Sequence, residues 1–326
     1  MGAIPGNIET DQQPPMTVPL RHFVVGLGFL VAGVGVGIGT RLGVVPGLAR
    51  LAHVHLLFAG WICLTILGAM TQFVPVWSGA TLHSQRLANV QLGLVAAGVA
   101  GIVGSFLLGE LVWLVPFAGL ALVGFWIFAY NIVRTLGAVE RYDVTERHFL
   151  GALGFVLVLT VLGVLLAVDF TVPTFSRVGV GRAGVVGAHA TLAVFGAVLT
   201  TVYGALYQLG TMFTQTELHG IDHRLRAVEE VAHPTGVVVF AAGRLVGNAP
   251  VARVGGLLIL LAASAFCLVL ARKLSEMQVE RTPMHTRYTM AVGALAVWIA
   301  VTAPAWIADP LTRGQLLGGG NAGHLL

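Results

Sequence analysis

The sequence predicts an all-α, polytopic membrane protein of about nine transmembrane helices, built as parallel four-helix repeats, two complete and a third begun. Three observations carry this: a shortage of charge, a series of long apolar runs, and an internal duplication. Of 326 residues, 56% are hydrophobic and 10% charged, with a mean hydropathy of +0.88. A soluble domain carries about 25% charged residues. The composition therefore excludes a cytosolic enzyme, a nucleic-acid binder and a disordered chain. The net charge of +4 and the pI near 9.5 read as cationic loops facing anionic lipid. The lipid bilayer is the expected partner, and nucleic acid is not.

A span needs about 20 apolar residues. Nine stretches qualify: 22–40, 51–77, 87–108, 111–136, 148–168, 183–213, 231–249, 251–272 and 287–308. The first follows a polar, Pro- and Gln-rich start in which no cleavable signal peptide is visible. Its Gly33, Gly35, Gly37 and Gly39 give the small-residue spacing of closely packed membrane helices. Charge and turn formers collect between the others, at Arg41 to Arg50, Ser78 to Arg86, Arg134 to Arg147, Asp169 to Arg182, Thr214 to Glu230 and Arg272 to Arg287. Helices 3 and 4 are joined tightly at Gly109-Glu110. Cys63 and Cys267 each stand alone in an apolar run, outside any CxxCH or CxxC pattern. A covalent c-type heme and a thiolate cluster are thereby excluded, and both read as small core residues. Eleven Lys and Arg fall on the N-terminal side and seven on the other. Cationic loops stay inside, so a plasma-membrane protein with a cytoplasmic N-terminus is expected.

A shift of 136 residues aligns 41–83 with 177–219, with thirteen of 43 positions identical, among them Arg41, His53, Gln72 and His83. Arg, His and Gln are rare here, so chance in an apolar composition does not explain the matches. The shift also carries helix 3 onto 7 and helix 4 onto 8. Each unit then has four helices, and an even number makes the repeat parallel. The expected division is 1–139, 140–275 and 276–326. Thr312-Arg313 echoes Thr40-Arg41 and Ser176-Arg177, and His324 follows its Arg by 11 residues where His53 and His189 follow theirs by 12. A third unit is expected to begin there and to be cut short before a tenth helix.

Topology sorts the eleven histidines. His53, His55, His189 and His324 lie at or just inside the outer ends of helices 2, 6 and the expected tenth. His22, His83, His148, His219, His223, His233 and His285 fall in inner loops or at inner helix ends, where a solvated role is expected. A histidine in an apolar segment is costly unless paired or ligated. Three at equivalent repeat positions share one depth, which suits heme iron or a metal held by neutral imidazole. His53 and His55 project about 200° apart on a helix. They serve two sides of helix 2 rather than one ion.

The run HVHLLFAGWICLTILGAMTQFVPVW, residues 53–77, resembles the heme-copper oxidase subunit I superfamily, closest to C-type oxidase and nitric oxide reductase catalytic subunits. The run AHATLAVFGAVLTTVYGALYQL, residues 188–209, is similar to their sixth helix, and Val74-Pro75-Val76-Trp77-Ser78-Gly79 is similar to the NnrS family of heme proteins. The resemblance covers two helices closely and the rest by pattern. It implies twelve helices in three pseudo-symmetric fours. It also implies heme b, with His53 or His55 as an axial ligand, His189 in the helix 6 copper-ligand place and His324 at the start of helix 10. Redox partner proteins or further subunits would follow.

Two departures stand against the full pattern. Helix 7 has no histidine pair, only His233-Pro234, and His233 is expected roughly 20 Å in depth from His189, so a three-histidine copper site is not completed. The H-x-H pair also sits on helix 2 where the family has it on helix 10. The carboxylates Glu110, Asp169, Glu217, Asp222, Glu229, Glu230 and Asp309 are placed at helix ends or in loops, leaving no relay through the core. Thr65, Thr200, Thr201, Tyr203 and Tyr207 read as hydroxyls bonded within helices 2 and 6. Gln72 and Gln208, each 19 residues after its histidine, are expected to mark the inner interface. The functional expectation is a heme-binding membrane protein in electron transfer or nitric oxide or oxygen handling. A cofactor-free transporter or channel built from the same repeats is the alternative.

Overall fold

The computed structural model describes residues 14–312. Among them stand nine long helices and no strand: α1 Thr17–Arg41, α2 Ala49–Ser78, α3 Gln85–Leu108, α4 Leu111–Leu136, α5 Val144–Asp169, α6 Arg182–Thr214, α7 Ile221–Leu245, α8 Ala249–Ser275 and α9 Pro283–Ala308. All except α7 are long and apolar enough to cross a membrane. The chain is a multi-pass membrane protein.

The helix ends follow local chemistry. Ser84 and Asn248 cap α3 and α8 by accepting from the backbone N–H groups of Leu87 and Val251. Thr282 and His285 form a reciprocal capping pair at the start of α9. Gly109 makes the tight turn between α3 and α4 with φ at 75°, a conformation that glycine adopts without steric cost.

The main departure from expectation is α7. It begins at Ile221, ten residues before the apolar run expected at 231–249, and ends at Leu245. Its first turns are charged, and several of the charges are paired. Arg226 and Glu230 pair one turn apart, Arg147 reaches Glu230, and Arg272 and Lys273 reach Asp222. Pairing removes the cost that made this stretch read as a loop.

The described chain divides into two compact units. The first comprises the residues up to Tyr142 together with Leu153–Gly179; the second comprises Asp143–Ala152 and everything from Val180 onward. Helix α5 runs through both.

In the first unit, α3 and α4 approach through glycine. A Cβ on Gly98 would stand 2.6 Å from the Ala121 nitrogen. The glycine stripe of α1 is only partly used. Gly33 meets Leu57 and Gly37 meets the His53 ring, whereas Gly35 faces open space. In the second unit, α7 and α8 meet at Gly243 and Gly255, where a Cβ would stand 2.3 Å and 2.2 Å from the backbone nitrogens of Ala252 and Phe240. Tyr203, Tyr207, Phe266, Val269 and Tyr288 make a buried cluster beside them.

The duplication has a backbone signature. Helix α2 widens into a π-helical segment at Leu56–Cys63, and α6 does so at Leu192–Leu199. The shift of 136 that aligns the sequences superposes these segments residue for residue. It also aligns the ends of α2 and α6 at Ser78 and Thr214, and the starts of α3 and α7 at Gln85 and Ile221.

Candidate functional site

The two histidines of α2 immediately precede its π segment. The Nδ1–H of His53 donates to the Gly33 carbonyl at 2.8 Å, a bond that ties α2 to α1. The ring fits there because residue 37 is glycine. A Cβ at that position would lie 2.6 Å from the His53 Cε1. The Nδ1–H of His55 donates to the Leu51 carbonyl at 2.8 Å, and its ring packs on Phe106 of α3, with centroids 5.4 Å apart. The two rings therefore face different helices, as their spacing requires. In both, committing Nδ1 as donor leaves the lone pair on Nε2, the tautomer of a metal-ligating imidazole.

These two histidines belong to the first unit, and His189 belongs to the second. His189 is half-buried on α6, in the turn before the π segment. His324 lies outside the described residues.

Four histidines expected to be solvated are buried: His22, His148, His233 and His285. Each has a defined partner. In the first unit, His22 of α1 donates from Nδ1 to the Val18 carbonyl at 2.8 Å, and its Nε2 accepts from the Gln91 carboxamide of α3. In the second unit, His148 of α5 donates from Nδ1 to the Val144 carbonyl at 2.7 Å, and its Nε2 lies 3.0 Å and 3.1 Å from the two Glu229 oxygens. The His22 Cβ sits 2.6 Å from where a Gly68 Cβ would be, and the His148 Cβ 2.7 Å from a Gly204 Cβ. Gly68 and Gly204 are themselves 136 apart. Each unit thus seats a buried histidine over a glycine, with a neutral amide opposite one ring and a carboxylate opposite the other.

The carboxylate is the larger surprise. Glu229 is fully buried, in the third turn of α7, and not in a loop. Its second oxygen accepts from the Tyr207 hydroxyl of α6 at 3.1 Å. One helical turn further along α7, the His233 ring packs on Tyr203, with centroids 4.8 Å apart. Its Nε2–H donates to the Phe195 carbonyl at 3.0 Å, and Nε2 lies 3.0 Å from the Thr200 hydroxyl, which itself bonds Phe195. Phe195 lies within the π segment, where the widened turn opens that carbonyl to side-chain donors. The His233 Nδ1 and the Tyr203 hydroxyl are buried without a hydrogen-bond partner among the described residues. A polar column, Glu229 and His148, then Tyr207, Tyr203, His233 and Thr200, therefore crosses the core of the second unit.

His233 stands mid-helix and not near an inner end, because α7 starts earlier than expected. Its contact Thr200 follows His189 by eleven residues on α6, about 16 Å along the axis. The separation from His189 is thus of the expected order. With the His233 Nε2 engaged by Phe195, these residues do not fit a shared copper site.

The start of α7 carries a second ionic group, ahead of its apolar stretch. Asp222, His219 and Glu276 present ligand atoms within 4.8 Å of one another. Lys273, itself buried, lies 2.8 Å from Asp222 and also pairs with Glu276, and Arg272 reaches Asp222 at 2.7 Å. Two side-chain cations already fill the place of a metal ion. Burial works against ionised Asp222, but the hydrogen bonds from Lys273 and Arg272 outweigh it and hold its carboxyl at about 2. Lys273 likewise holds Glu276 below the usual carboxylate range.

The remaining polar residues divide. Thr201 bonds the Ala197 carbonyl within its own helix, as expected. Gln72 is buried, and its amide atoms have no hydrogen-bond partner among the described residues. The sequence did hold a signal for the column: Glu229 and His233 are spaced i, i+4 and share one helix face. No protein-family model matches this chain, and no curated protein matches it.

Proposed function

We propose that the chain is a heme-binding integral membrane protein, similar in plan to the heme-copper oxidase subunit I superfamily, acting in electron transfer or in handling nitric oxide or oxygen. The observation that carries this reading is the state of the α2 histidines. Both spend Nδ1–H on a backbone carbonyl and keep the Nε2 lone pair. Heme iron takes a neutral imidazole nitrogen, and a ligating histidine is normally fixed through its other N–H in this way. His53 or His55 would hold the iron from α2 within the first unit, and the repeat suggests a like ligand role for His189 within the second and for His324. Heme b would supply a one-electron couple or a seat for a diatomic gas. What the chain itself does is fix the tautomer, orient the rings and surround them with apolar residues. Copper is not part of the proposal. The plasma membrane, a cytoplasmic N-terminus and a redox partner protein belong to the same reading.

The buried Glu229–His148 pair favours a second reading, a proton-linked transporter or channel without a cofactor, because ionisable side chains buried inside a membrane protein mark ion pathways. Purified full-length protein in detergent separates the two. The heme reading expects stoichiometric iron and a Soret band. Iron-free, colourless protein favours the transporter.

A further inference from the structure

We propose that Glu229 and His148 hold one exchangeable proton between them, making the second unit a proton-binding site. The positions of the two side chains alone require it, independently of any heme. The His148 Nδ1 is 2.7 Å from the Val144 carbonyl, an acceptor, so Nδ1 must carry a hydrogen. The Nε2 then carries either a second hydrogen or a lone pair. It stands 3.0 Å and 3.1 Å from two carboxylate oxygens. A lone pair facing an ionised carboxylate at that distance puts two acceptors against each other in a buried site, which is strongly unfavourable. One proton must lie between them, as imidazolium with carboxylate or as imidazole with carboxylic acid. The Tyr207 hydroxyl donates to the other side of the carboxyl group in either form.

The duplicated chain contains its own control. In the first unit His22 has the same Nδ1 bond, to Val18, but its Nε2 faces the N–H of Gln91, which satisfies a neutral ring with no added proton. The first seat has a neutral amide opposite the ring where the second has the Glu229 carboxylate and its Tyr207 donor.

Access is short. Arg147 pairs with Glu230 at 2.6 Å on the exposed side. His148 pairs with Glu229, one residue further along α5 and one residue back along α7. The buried pair is thus the next rung of a ladder whose outer rung meets solvent. The proton is taken from and returned to water on that side. The titratable groups facing Glu229 are His148 from α5, Tyr203 and Tyr207 from α6, Glu230 and His233 on α7, and, through Tyr203, Cys267 of α8.

The test is infrared difference spectroscopy of the full-length protein in lipid vesicles, perfused between pH values in H2O and D2O, on wild type, Glu229→Gln and His148→Gln. Gln at 229 reproduces the His22–Gln91 arrangement, so the variant is expected to fold with a neutral ring. Wild type should show one protonated group, a carboxylic-acid C=O stretch or an imidazolium ring mode, that each variant loses. Bands unchanged in both variants would overturn the proposal. Should the variants fail to fold, 15N spectra of histidine-labelled wild type, read alongside its carboxyl bands, decide the matter. Either one-proton form supports the proposal, and neutral His148 beside ionised Glu229 overturns it.

Discussion

A ring held over a glycine is sensitive to a single methyl group. Gly37→Ala would put a Cβ 2.6 Å from the His53 ring, in the interface that carries the bond to Gly33. The ring must leave that carbonyl or the helices must part, at a cost of about 1–3 kcal/mol. Gly35→Ala meets nothing within 4 Å and should be neutral or stabilising by up to about 1 kcal/mol, since alanine is the better helix former. Thermal unfolding followed by circular dichroism in detergent checks both, and equal effects would place His53 elsewhere. At this scale the α2 histidines were legible, because an imidazole inside an apolar run stands out. His148, Glu229 and His233 were not. His148 and Glu229 stand beside charged residues, and His233 follows a charged run, so a residue-by-residue reading takes the stretch for solvent exposure. Only their pairing across α5, α6 and α7 reverses that, and pairing is a property of the fold.

Helices carry the next level of constraint. A π segment contains one extra residue, so deleting one residue between Leu192 and Leu199 should restore a regular helix. The Phe195 carbonyl would then return to its own helix, and His233 and Thr200 would lose their bonds to it. The expected result is a less stable protein by thermal unfolding in detergent; unchanged stability would mean the π turn does not open that carbonyl. The start of α7 makes a separate prediction. Asp222 is held at about 2, below the ordinary carboxylate value near 3.9. Its contribution to stability is therefore complete above pH 4 and is lost as the pH falls toward 2. Asp222→Asn should cost on the order of 2–3 kcal/mol at neutral pH and flatten the acid limb of the stability profile, as read by denaturation at a series of pH values. Eight of the nine helices were legible from apolar length alone. The seventh was displaced because its first turns are stabilised by ion pairs reaching it from α5 and α8.

For the whole molecule, the membrane architecture was written in the composition, since so apolar a chain has no other stable setting. The duplication was legible through Arg, His and Gln, and the structure adds matched π segments at the same shift. The compact units were not legible. A repeat records how the sequence was copied, whereas contacts assign most of α5 to the first unit and its first turns to the second. The heme reading rests on the copied histidines. It is tested most directly by reduced-minus-oxidised absorption spectra of the purified full-length protein, compared with His53→Ala, His55→Ala and the double variant. The account predicts sharp α and β bands in wild type, abolished in one of the single variants and in the double. Bands that survive in all three, or wild-type protein with no heme absorption, would contradict it.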